Sequence, residues 1–104
     1  MKADHRSKNA LDIMKKRYFN TDEKKAALEE TRINAEAARL IFTMRSEAKM
    51  SQQELASMIG TTQSVISRLE DDDYDGHSLT MLSRIAVALK KRLLLQVVDI
   101  NSDG

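Results

Sequence analysis

Between Thr61 and Arg68 the chain reads TTQSVISR, which places one amide and two hydroxyls, those of Gln63, Ser64 and Ser67, within two turns of a helix. A glutamine amide offers a donor and an acceptor in one plane, as adenine N6 and N7 demand, and a serine hydroxyl can bond to several base edges. Arg68 lies one step round the helix and suits a phosphate or a guanine. Gln52 and Thr61 fall at the starts of helices, where unpaired N–H groups favour anions, so backbone phosphate is their expected partner. This chemistry fits a DNA major groove. Ordinary solvated polar side chains are the alternative for each of these residues, Gln63 and Arg68 included.

Such groups need rigid elements to aim them, and residues 51–70, SQQELASMIGTTQSVISRLE, supply the pattern. Ser51 and Glu54 form an S-x-x-E capping box, which predicts a helix from Gln52. Leu55 and Ile59 share its apolar face. Ala56 is small where a second helix would cross. Gly60 ends the first helix, because a left-handed backbone is cheap for glycine. Thr61 and Thr62 can both cap the second helix. Val65, Ile66 and Leu69 give that helix its buried face. The pattern is that of a helix-turn-helix entering the groove N-terminus first; a helical hairpin without a DNA partner is the other reading.

Composition sets the limits. The 104 residues suit one compact domain with an appendage. Aromatics are 4% and proline is absent, so the core must be aliphatic and the chain mainly helical. Absent cysteine excludes disulfides and thiolate-bound metal, and fits a cytoplasmic location. No apolar run reaches the ~18 residues of a membrane span. No signal-peptide pattern opens the chain. Net charge is only +1, so a basic footprint must be local. Residues 1–20 carry about +4, whereas residues 70–75, EDDDYD, hold five acids and no base. Phosphate is therefore disfavoured at the C-terminal side of the motif.

Around the motif the chain divides in two: residues 1–34, an N-terminal segment disordered when free with short helical elements, and residues 35–104, a DNA-binding and dimerisation domain. In the first, Leu11, Met14 and Tyr18 share a helical stripe, with Asn20 and Thr21 breaking it. A helix is predicted from Asp22 to about Lys49, capped by Thr21. Its apolar face is Ile33, Ala37, Leu40, Ile41, Met44 and Ala48. Residues 22–34 are an extension of that helix prone to fraying. After a loop at Tyr74–His77, Ser78 caps a helix with Leu79, Leu82, Ile85, Ala86 and Leu89 as its core stripe, and Lys90, Lys91 and Arg92 close it. Leu93–Ile100, LLLQVVDI, reads as a β-strand with no internal mate. Its expected partner is the same strand of a second copy, through Leu93, Leu94, Leu95, Val97 and Val98. Continuation of the last helix into the core is the alternative. Arg45 and Glu70 flank the motif, and a bridge between them would clamp the first helix to the recognition helix; a solvated pair worth little is again the alternative.

The pattern R-x6-Q-x2-L-A-x3-G-T-T-Q-x2-I-x2-L-E, from Arg45 to Glu70, resembles the Cro/cI-type repressor helix-turn-helix over residues 35–90. That resemblance implies DNA contacts by Gln52, Thr62, Gln63, Ser64 and Ser67, and a salt bridge between Arg45 and Glu70. The acidic loop after Glu70 departs from the many relatives with Asn-Gly-Lys there. More narrowly, SRLEDDDYDGHSLTMLSRIAVAL followed by a short apolar segment looks like HigA-type antitoxins of HigB/HigA pairs. The implied protein is a homodimeric repressor of its own operon that neutralises a RelE-like mRNA endonuclease.

The N-terminal third bears on that role. Leu11, Ile13, Met14, Arg17, Tyr18 and Phe19 combine apolar anchors with basic charge on a segment lacking its own core. It suits a toxin-wrapping element that folds on contact, a basic arm on DNA, or an extra helix on its own dimer. Enzyme activity is not expected: His5 and His77 lie on a tail and a loop, and no Ser–His–acid arrangement, metal-ligand spacing or cofactor motif occurs. A stand-alone repressor and a bridging coactivator of the same fold remain alternative roles.

Overall fold

The computed structural model describes residues 20–100, and among these four helices follow one another without a strand. They are α1 (Asn20–Glu47), α2 (Gln52–Ile59), α3 (Gln63–Leu69) and α4 (Leu79–Ala88). The chain divides into two units between Ile33 and Asn34. In the first, Asp22 and Glu23 sit in the first turn of α1, where the helix dipole favours acids. Glu29 pairs with Arg32 at 2.9 Å, and Thr31 Oγ1 donates to Ala27 O at 3.1 Å. Helix α1 already includes Asn20 and Thr21, so Thr21 is not its cap. The expected toxin-binding residues Leu11, Ile13, Met14, Arg17, Tyr18 and Phe19 lie outside the described residues.

The second unit holds the core. Ala37, Ile41 and Met44 from α1 join Leu55 and Ala56 from α2, Ile66 and Leu69 from α3, and Leu82, Ile85 and Ala86 from α4. The side chains are aliphatic or Met, as a chain poor in aromatics requires. Ala56 is fully buried, and its single methyl is what the packing at that position admits. Four residues expected inside are not. Ile33 and Leu40 are 49% and 39% exposed, Leu79 is 58% exposed, and Ala48, past the end of α1, is exposed as well. Leu79 opens α4 at the rim of the buried stripe, and Met81 packs on the core instead.

Three of the four helices end in the same way. Lys49, Gly60 and Lys90 have φ of 58°, 79° and 64°. In each case the next N–H bonds back five residues: Met50 to Arg45 O, Thr61 to Ala56 O, and Lys91 to Ala86 O. This left-handed closure satisfies carbonyls that the helix leaves unpaired. Helix α1 therefore stops at Glu47 and α4 at Ala88. Lys90, Lys91 and Arg92 lie past the end of α4 rather than in its last turn. Beyond them, Leu93 packs against the core while residues 94–99 run on without regular structure in the single chain.

A left-handed conformation costs an L side chain roughly 1–2 kcal/mol, so the three ends should respond with opposite signs. Nothing lies within 4 Å of a Cβ placed on Gly60, so Gly60→Ala should lose about 1–2 kcal/mol through backbone strain alone. Lys90→Gly should instead gain up to about 1 kcal/mol. Urea unfolding of both variants checks this, and a Lys90→Gly chain less stable than wild type would contradict it.

Candidate nucleic-acid interface

Gly60 sets the turn between α2 and α3, and Thr62 starts α3. The Thr62 hydroxyl accepts from Val65 N at 3.3 Å, so Thr62 rather than Thr61 is the cap. Ser51 and Glu54 cap α2 reciprocally: Glu54 N donates to Ser51 Oγ at 3.0 Å and Ser51 N to Glu54 Oε1 at 2.8 Å. Ile66 and Leu69 point inward, and Val65 packs at the edge of the core. That seating leaves Gln63, Ser64, Ser67 and Arg68 exposed, with Thr61 half-buried and Thr62 exposed. No acid lies in the first turn of α3. The exposed acids Asp71, Asp72, Asp73 and Asp75 gather at its other end. Asp72 faces Arg39 at 3.9 Å, an exposed pair worth little.

Behind this face lies a connected polar chain. Arg45, on α1, grips Glu70 with two parallel bonds, Nε to Oε2 at 2.6 Å and an Nη to Oε1 at 2.9 Å. Its other Nη donates to Met50 O at 2.8 Å, which ties down the link between α1 and α2. The two side chains are 12% and 6% exposed. The bond to Glu70 raises the Arg45 pKa above the ordinary arginine value, against the opposing effect of burial. Gln52 Nε2 donates to Glu70 Oε1 at 3.0 Å, and Gln63 Nε2 donates to Gln52 Oε1. The structure thus brings Arg45, Glu70, Gln52 and Gln63 together across three helices. Gln52 keeps a second N–H outside the chain of bonds, so the bridge leaves room for the phosphate contact expected of it.

Two features of this region carried no sequence signal. Gln52 and Gln63 open their helices eleven residues apart, and nothing in that spacing reports a contact. His77 Nε2 lies 2.6 Å from Leu69 O. A carbonyl only accepts, so Nε2 carries the proton, and the buried Nδ1 has no partner. Tyr74 meets the His77 ring edge-on at 5.1 Å. Gly76 permits this, since a Cβ there would lie 2.3 Å from the Tyr74 hydroxyl. The loop after α3 is thereby fastened to its last turn. Of the remaining expected site residues, Leu94, Leu95, Val97 and Val98 are 64% exposed or more, and Leu93 alone is held by the core. Among the described residues no group of acids, histidines or cysteines could hold a metal ion, and no helix is long and apolar enough to cross a membrane.

The model of a family described as Helix-turn-helix matches residues 41–95, more than half of the chain. The chain belongs to this helix-turn-helix family, which marks it as a DNA-binding regulator of transcription. No curated protein and no solved structure matches it.

Losing Arg45 would strand the Glu70 carboxylate against the core. Arg45→Ala should destabilise the domain by about 1.5–3 kcal/mol, the range for bonds to charged groups. Lysine there cannot reproduce the fork, so Arg45→Lys should restore less than half. The raised Arg45 pKa means this stabilisation is complete below the ordinary arginine value and lost only above the raised one. The gap between wild type and Arg45→Ala should therefore stay flat from about pH 7 to 10. Urea unfolding at several pH values measures both effects.

Proposed function

We propose that the chain is a homodimeric operator-binding repressor that reads DNA with α3. The observation that carries this is the exposed face of Gln63, Ser64 and Ser67 on a helix whose other face is sealed into the core. In this reading Gln63, Ser64 and Ser67 meet base edges. Gln52, Thr61 and Thr62 meet backbone phosphates, and Arg68 meets a phosphate or a guanine. The acids after Glu70 repel phosphate and so fix which end of α3 enters the groove. Reading a palindrome takes two copies. The dimer forms through Leu93–Val98, whose apolar side chains beyond Leu93 are exposed in the single chain, paired as strands across a two-fold axis.

The finer role is that of a HigA-type antitoxin. The resemblance of residues 67–89 to those antitoxins supports it, as does a basic, apolar-studded segment ahead of a domain that does not need it for DNA reading. Residues 1–34 would embrace a RelE/HigB-like endonuclease in the cytoplasm, with Leu11, Ile13, Met14, Arg17, Tyr18 and Phe19 in the contact. Buried aromatics dominate such interfaces, which makes Tyr18 and Phe19 the main anchors.

Two deletions separate the parts. A chain ending at Arg92 should be monomeric in light scattering and should bind duplex DNA much more weakly than the full chain; a truncated chain that remains dimeric removes the strand-pairing proposal. A chain lacking residues 1–21 should still dimerise and bind DNA. It should fail to restore growth when a RelE-like protein encoded beside it is expressed, and restored growth would sink the antitoxin role.

A further inference from the structure

We propose that Asp75 is a site of spontaneous covalent modification. Attack by the Gly76 amide nitrogen isomerises it to isoaspartate, and the change releases the loop fastened to the end of α3.

Ring closure between an aspartate side chain and the next amide needs three things: an accessible carboxyl, a following residue with no Cβ in the way, and an amide that no hydrogen bond holds. Asp75 and Gly76 meet all three. Both are exposed and lie outside any helix. The loop's last backbone bond runs from Tyr74 N to Asp71 O at 3.0 Å, and the next along the chain is Leu82 N to Ser78 O. Between them the Gly76 N–H and the Asp75 carboxylate have no partner among the described residues. Glycine has the widest choice of backbone angles, so the peptide can swing into the closing geometry. The other acids of the loop are worse placed. Asp71, Asp72 and Asp73 each precede a residue with a side chain. Asp71 Oδ1 also accepts from Asp73 N at 2.9 Å, and Asp72 faces Arg39. Glycine at 76 is itself what makes room for the Tyr74 ring. The packing of the loop thus imposes the residue that makes Asp75 reactive.

The step needs no co-reactant but water. Gly76 N gives its proton to solvent and bonds to Asp75 Cγ. The Cγ–O bond breaks, and the hydroxyl of the protonated carboxyl departs with a proton as water, leaving a five-membered imide. Such an intramolecular attack gains from the fixed proximity of its partners. Water then adds back. Addition at Cγ restores aspartate. Addition at the main-chain carbonyl breaks the C–N bond there, so the chain runs through Cβ and Cγ and the former carbonyl carbon becomes a free carboxylate. Mass and charge are unchanged, but the main chain is one carbon longer.

That carbon falls between the two side chains that fasten the loop. Tyr74 meets the His77 ring edge-on, and His77 Nε2 donates to Leu69 O at 2.6 Å. Lengthening the chain between Tyr74 and His77 puts both contacts out of register. The end of α3, where Glu70 lies, then loses its brace. None of this depends on what α3 binds.

The full chain serves for the test. Asp75→Asn carries a better leaving group, so closure at residue 75 reads as deamidation in mass spectrometry of its peptide. In the folded chain at neutral pH it should run within about tenfold of its rate in urea, since a loop without hydrogen bonds opens at almost no cost. A folded chain slower than that is protected by its fold, which overturns the proposal. In wild type kept at neutral pH, isoaspartate should accumulate at residue 75, read by peptide mapping and by an enzyme that methylates isoaspartyl carboxylates. Mapping separates it from Asp103–Gly104, a like pair outside the described residues. Asp75→Glu, whose ring would have six members, should show none at residue 75. Hydrogen exchange then compares the two forms of the wild-type chain. The amides of Glu70, Asp71 and Tyr74 should exchange at least about fivefold faster in the isoaspartate form, with those of α2 unchanged. Equal exchange would mean that the loop stays fastened, and overturns the release.

Discussion

The fork between Arg45 and Glu70 is the interaction on which the side of this domain proposed to meet DNA depends. It joins the end of α1 to the end of α3, and its spare bond to Met50 O fixes the entry into α2. Apolar packing around Ile41, Leu55, Ile66 and Ile85 holds the helices together, but such packing is non-directional. A helix with one apolar stripe can slide or roll by part of a turn at small cost. A planar guanidinium on a carboxylate cannot, because two parallel bonds fix both distance and angle. Through Gln52 the same pair reaches the first residue of α3. The ion pair therefore sets the roll of α3, and the roll decides which side chains face outward.

Much of this was legible in the chain. The capping box at Ser51 and Glu54, the small Ala56, the left-handed Gly60 and the cap at Ser78 are local rules, each decided within a few residues, and the structure has each of them. The helix ends at Lys49 and Lys90 were not legible. They use the same closure as Gly60 with a residue that carries no signal for it, so the sequence overstates α1 by about two residues and α4 by up to four. Leu79, Ile33 and Leu40 fit a helical stripe but lie at its margins, where periodicity cannot say how far the neighbouring helices extend. The Gln52–Gln63 and His77–Leu69 contacts arise from tertiary geometry alone. No spacing rule predicts them.

The charge layout complements this positioning. The chain is nearly neutral, yet α3 has no acid in its first turn, and the acids lie beyond its last. Steering by such a field is directional rather than strong. Specific contacts must then supply most of the discrimination, which places unusual weight on the aim of a few short side chains. In the proposed reading, Ser64 and Ser67 reach less far than Gln63, so α3 would approach the bases closely, and small residues on its outer face allow that.

Entry of the α3 face bearing Gln63, Ser64 and Ser67 into the major groove is the central claim. The most direct measurement is NMR titration of the isotope-labelled full chain with an enriched DNA duplex, following backbone amides and the side-chain NH2 groups of glutamine. The largest changes should fall at Gln52, at residues 61–68 and in the Gln63 side chain, with α4 little affected. Changes concentrated on α4 or on residues 94–100, with residues 61–68 unmoved, would contradict it.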